Sequence, residues 1–197
     1  MQDFWVFFSI GLHHVLDING YDHVLFLIAL TVPYLAKDWK RILVLVTIFT
    51  VGHSLALVLS VFNFVKVNAD LVEFVIPITI LLTAFYNLIH AGKPIPKENL
   101  NFISITTLFF GIIHGLGFSN YFKTILSGEA IDKLPNLFEF AVGIEAAQIG
   151  VVVAVLLISF VVQTLFKFSK RDFTLTASAF VIGVVLPIII ENPVWKK

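Results

Sequence analysis

Long apolar runs separated by short polar breaks dominate the chain. The breaks, each holding charged residues or Pro, Gly and Asn, fall near 37–41, 63–70, 91–99, 123–135 and 167–172. They leave six runs at roughly 21–36, 42–62, 71–91, 100–122, 136–166 and 173–191, preceded by a shorter segment at 3–17. A bilayer core takes about 20 apolar residues of helix. The pattern therefore predicts an all-α integral membrane protein, a bundle of six long transmembrane helices plus a short N-terminal helical segment. Asn19-Gly20 is a turn signal after that segment, which is either a seventh, partial helix or the first half of one broken helix. Pro33, Pro77 and Pro187 sit inside runs, where membrane helices tolerate proline if neighbours satisfy the freed carbonyls. No linker is long enough to divide the chain, so residues 1–197 are expected to form a single transmembrane domain.

Composition narrows the class further. With 58% hydrophobic and 13% charged residues, there is too little polar surface to cover a soluble core. The absence of cysteine removes disulfides and thiolate metal sites. A formal charge of zero gives no basic or acidic balance that would point to nucleic acid. The start, MQDFW, lacks the basic, apolar and small-residue regions of a secretory signal, so insertion is expected to use the helices themselves.

Lysine and arginine counts suggest an orientation. One side carries Lys37, Lys40, Arg41, Lys93, Lys97, Lys167, Lys170 and Arg171; the other carries Lys66, Lys123, Lys133, Lys196 and Lys197. The richer side is expected in the cytoplasm, with Asn19-Gly20 and the 123–135 loop outside.

Depth follows from about 1.5 Å of rise per residue. His23 precedes Ala36, His53 follows Arg41 and His114 follows Asn99 by similar stretches. All three histidines come out roughly 18–23 Å from the cytoplasmic loops, near one level of a core about 30 Å thick. His13, His14, Asp17 and Asp22 lie nearer the outer face, as do Glu145 and Gln148, which are spaced to face one neighbour. The picture is a polar funnel leading to a histidine cluster, with Asn87 and His90 near the cytoplasmic end marking an exit. A lone buried histidine needs only a carbonyl on a neighbouring helix. Three at one depth on three helices, with carboxylates nearby, read as an ion or substrate path. Glu73, beside Asp70 at a helix start, reads instead as a dipole partner.

Neutral imidazole and carboxylate oxygen suit borderline divalent cations such as nickel, zinc, cobalt or iron. Asp22 and His23 are adjacent and diverge by about 100° on a helix. The expected arrangement has His23 ligating while Asp22 orients another histidine. Gly52, Gly111, Gly115 and Gly117 favour close helix approach in the same layer, and the many Phe residues are assigned to lipid and neighbouring helices.

The blocks GLHHVLDINGYDHVLFLIAL, FTVGHSLAL, GIIHGLGFS and FAVGIEAAQIG resemble the HupE/UreJ family of bacterial membrane proteins, in particular its UreJ-like branch. The resemblance implies nickel transport. It also implies that the family's first-helix histidine and aspartate correspond to His14, Asp22 and His23, its later histidines to His53 and His114, and its fifth-span glutamate to Glu145.

Three functions are therefore open. The first is a secondary divalent metal-ion permease, nickel foremost, in which His14, Asp22, His23, His53, His114 and Glu145 meet the metal and His13, Asp17, Gln148 and Ser54 line the path or support it. The second is an intramembrane zinc-dependent hydrolase, with zinc on three histidines and Asp22 or Glu145 as general base. The third is a non-catalytic membrane subunit. The expected partners are the lipid bilayer and a divalent ion, nickel or zinc. A homo-oligomer or a membrane partner protein stays open, because a lipid-facing Phe surface and a subunit interface look alike. Resemblance and charge bias together point to a bacterial inner membrane.

Overall fold

The computed structural model describes residues 2–93, 99–126 and 133–196. Regular structure among these residues is all helical. In chain order the helices are α1 (Gln2–Val15), α2 (Asp22–Thr31), α3 (Trp39–Val61), α4 (Ala69–His90), α5 (Asn99–Ile125), α6 (Lys133–Leu165) and α7 (Lys170–Ile190). Tight 3-10 turns occur at Ala36–Asp38 and Pro193–Lys196. Lys97 and Lys197 of the orientation count, and parts of the 91–99 and 123–135 breaks, lie outside the described residues.

Five helices, α3 to α7, are long and apolar enough to cross a membrane, which corrects the expected six. The run at 21–36 supplies only the ten-residue α2. Pro33 has no N–H and disfavours helix at the residue before it. Beyond Thr31 the chain turns, Leu35 is extended, and the Leu35 N–H donates to Asp38 Oδ2 at 3.1 Å. Unbroken hydrophobicity hid this stop.

The neighbours along α5 fix the course of the first two helices. Phe7 lies beside Phe122, His14 beside Phe118, His23 beside His114 and Phe26 beside Phe110. As the chain advances through α1 and α2, its partners step steadily backward along α5. Both short helices therefore run counter to α5, one after the other, and form a single course interrupted at residues 16–21. Asp17 holds the interruption, its Oδ1 accepting from Asn19 N–H at 2.9 Å.

Two close helix pairs frame the bundle, α3 with α5 and α1 with α6. A side chain at Gly52 would overlap the Leu108 carbonyl oxygen, and one at Gly111 the Phe49 carbonyl oxygen. The second pair repeats the arrangement, with Gly11 against Phe140 and Gly143 against Phe8. Glycine lets each pair approach to backbone contact, where dispersion between main chains replaces the hydrophobic drive that lipid cannot supply. Phe26, Phe49, Phe122 and Phe140 are buried between the pairs, so part of the phenylalanine complement forms the core.

Local caps finish the longer helices. Asn68 Oδ1 accepts from Leu71 N–H at the start of α4, and Ser169 Oγ from Asp172 N–H at the start of α7. Each satisfies an otherwise orphaned N–H.

Candidate metal centre

The end of α1, the start of α2 and the middles of α3 and α5 converge on one point. They bring His14, His23, His53 and His114 together. Ring centroids are 4.6 Å apart for His14 and His23, 5.5 Å for His14 and His53, 5.7 Å for His23 and His53, and 5.1 Å for His23 and His114. Two sets of three donors result: His14, His23 and His53, and Asp22, His23 and His114, each with donor atoms within 4.8 Å of one another. His23 belongs to both.

Hydrogen bonds around the rings set which nitrogen is free. Asp22 Oδ1 accepts from the His23 backbone N–H at 2.9 Å and lies 3.1 Å from His23 Nδ1. The carboxylate thus accepts the hydrogen bond of Nδ1–H, which keeps its proton, and leaves the Nε2 lone pair open; His23 Nε2 is buried without a hydrogen-bond partner. This differs from the expectation that Asp22 would orient a different histidine. At a helix N-terminus the first side chain folds back over the open N–H groups, which brings the carboxylate onto its immediate neighbour.

Thr79 plays the corresponding part for His114, and sequence reasoning passed over it. Its hydroxyl donates to Ile76 O at 2.7 Å, so its oxygen accepts from His114 Nε2 at 3.3 Å. His114 Nδ1 is then the free donor atom, and it too is buried and unpartnered. Both ring nitrogens of His53 and Nε2 of His14 share that condition. Buried polar atoms are ordinarily hydrogen-bonded, so an inward-facing set of bare imidazole nitrogens is a costly arrangement unless a cation takes their lone pairs. Phe26, Phe49, Phe118 and Phe140 pack around the rings and hold them in a low-dielectric pocket.

The remaining expected residues sit elsewhere. Glu145, expected beside the histidines, lies outside both donor sets. It accepts from Thr47 Oγ1 at 2.6 Å and from the Thr50 hydroxyl. Gln148 Oε1 is 2.9 Å from the same Thr50 hydroxyl. Thr50 is one turn before His53 on α3, so Glu145 and Gln148 form a neighbouring polar station rather than part of the cluster. His13 is bonded back to Ser9 O at 2.7 Å. Asp17 serves the interruption, and Ser54 Oγ is buried without a partner outside the donor sets. Asn87, read as an exit residue, spends its amide on Ala29 O at 2.6 Å and ties α4 to α2.

The protein is a bundle of helices long and apolar enough to cross a membrane, and its buried nitrogen and oxygen donors, without sulfur, are of the kind that borderline divalent cations favour. A family model described as HupE / UreJ protein matches residues 1–191. The chain belongs to the HupE/UreJ family and is a multi-pass membrane protein. No curated protein and no solved structure matches it.

Proposed function

We propose that the chain is a secondary permease for a divalent metal ion, nickel foremost, in a bacterial inner membrane. The observation that carries this reading is the pair of overlapping donor sets sharing His23. A transported ion must be held and then released, so each stop needs incomplete, exchangeable coordination. Two further donors in each set, His14 and His53 in one and Asp22 and His114 in the other, would let an ion pass between sets while His23 keeps hold of it. Glu145 and Gln148, one turn away along α3, offer the next oxygen donors.

The test is uptake of radiolabelled nickel into vesicles containing the purified protein. Uptake is expected to be time-dependent and saturable, and to be lost in His53→Ala and in His114→Ala while both variants retain their helix content. Full uptake by both variants would overturn the proposal. Near-stoichiometric zinc that survives purification and disappears with His53→Ala would instead support the hydrolase.

A further inference from the structure

A second cavity, of about 300 Å³, opens on the opposite side of Phe26 from the histidines, between α2, α4, α5 and α7. The buried Phe26 and Phe110 line it toward the middle of the bundle, the exposed Leu82 lines its outward side there, and Lys93 and Lys170 line its other end. Leu82 and Lys93 are eleven positions apart along one helix and the turn beyond it, which makes the cavity about 16 Å long. It reaches from the Lys/Arg-rich face toward the middle of the bundle.

Its wall is apolar even where the sequence is not. The hydroxyls of Thr83, Thr106 and Thr107 each donate to a carbonyl in their own helix. Thr174 donates to Val32 O and Lys170 O, and Asn87 to Ala29 O. Apart from Tyr34, Tyr86 and His90, which line the part nearer the lysines, little hydrogen-bonding capacity is left facing inward, so the inner part of the cavity resembles hydrocarbon to an occupant.

The mouth is cationic. Lys37 and Asp38 are electrostatic neighbours of Lys170, and the Arg171 side chain packs over Gly92. Among the described residues lining the cavity none carries a carboxylate. The two ammonium groups favour an anion over a cation at this end of the cavity.

We infer that this cavity binds one acyl chain of an anionic phospholipid, with the headgroup phosphate held by Lys93 and Lys170. The chemistry matches at both ends: an extended apolar slot inside, and paired ammonium groups at headgroup depth, where juxtamembrane lysines attract anionic lipid. The inward tip of the chain would press on Phe26, which stacks on Phe49 at 4.7 Å and lies tilted beside His114 at a ring separation of 5.5 Å. The inference does not depend on what the histidines carry.

The full-length protein in mild detergent, titrated with phosphatidylglycerol or with phosphatidylcholine of the same acyl composition, tests it by native mass spectrometry and thermal unfolding. Phosphatidylglycerol is expected to bind at a stoichiometry of one and raise Tm, with phosphatidylcholine binding far more weakly. The double variant Lys93→Ala/Lys170→Ala should lose affinity for phosphatidylglycerol by roughly twentyfold. Thr106→Trp, which fills the slot without touching its charge, should abolish the bound lipid. Equal binding of both lipids, or phosphatidylglycerol binding indifferent to the lysine pair, would overturn the inference. So would an equal Tm rise from inorganic phosphate alone, because that would leave the slot no role. If Thr106→Trp does not fold, the lipid comparison and the lysine pair still decide.

Discussion

Asp22 grips His23 twice, by its backbone N–H and by ring Nδ1, through one carboxylate oxygen. The grip fixes the imidazole's orientation and tautomer and leaves Nε2 open on the one residue common to both candidate donor sets. A residue adjacent in sequence has become the outer partner of a ligand, an arrangement a mid-helix position could not support.

Asp22→Asn keeps an acceptor in place but removes the charge that strengthens the bond to the ring. Loss of such an outer partner typically weakens metal affinity about 10- to 100-fold. Calorimetric nickel titration of the purified variant should show that loss with Tm nearly unchanged in metal-free buffer. Wild-type affinity in the variant would remove Asp22 from any part in ligation.

Thr79→Val removes the oxygen that receives the His114 Nε2 proton and leaves a buried N–H unpaired, at a cost of about 1–3 kcal/mol. Thermal unfolding should report the drop, and nickel affinity should fall with it. Thr79→Ser should recover both. A valine variant as stable and as metal-responsive as wild type would show that the 3.3 Å contact is incidental.

Glu145→Gln retains an oxygen for Thr47 or Thr50 and discards the negative charge. The expected result is loss of most vesicle uptake while the nickel-induced rise in Tm, which the histidines produce, persists. If both disappear together, Glu145 belongs to the binding set after all.

Gly52→Ala drives a methyl group into the Leu108 carbonyl oxygen. Overpacking of this kind typically costs about 1–3 kcal/mol, and here it should also spread the α3–α5 pair that positions His53 and His114. Gly150→Ala and Gly183→Ala serve as controls, because nothing lies within 4 Å of either added carbon. These two should be neutral or stabilising by up to about 1 kcal/mol, since alanine is the better helix former. Equal Tm values for all three variants would contradict the close-approach account.

Much of this arrangement could be read in advance, because the bilayer imposes a ruler. Counting from the lysine-rich loops put His23, His53 and His114 at one depth, and the rings are indeed neighbours. The same ruler misplaced His14. It assumed that the turn after the first segment lay at the outer surface, whereas the interruption at 16–21 sits where α1 and α2 meet beside the cluster. Hydropathy alone did not mark the end of α2 at Thr31, since no charge interrupts Val32 to Leu35; the stop is written in Pro33, which a membrane helix can also carry in its interior. Thr79 gave no signal either: a threonine in an apolar helix usually bonds its own backbone, and only the approach of His114 from α5 gives it a second task.

The two glycine crossings sort the four imidazoles into separate bodies. The α3–α5 pair carries His53 and His114, the α1–α6 pair carries His14 and Glu145, and α2 holds His23 between them. Glycine contacts are smooth along the helix axis as well as close. Because α2 continues the course of α1 and packs on α6, a slide of one pair past the other by a fraction of a helical turn would carry His14, Asp22 and His23 together and change their distances to His53 and His114 in both sets. The Glu145 bonds to Thr47 and Thr50 span the two bodies and act as a catch on that movement. Shear between rigid pairs, rather than bending of any single helix, is then the motion that these crossings leave open to the bundle.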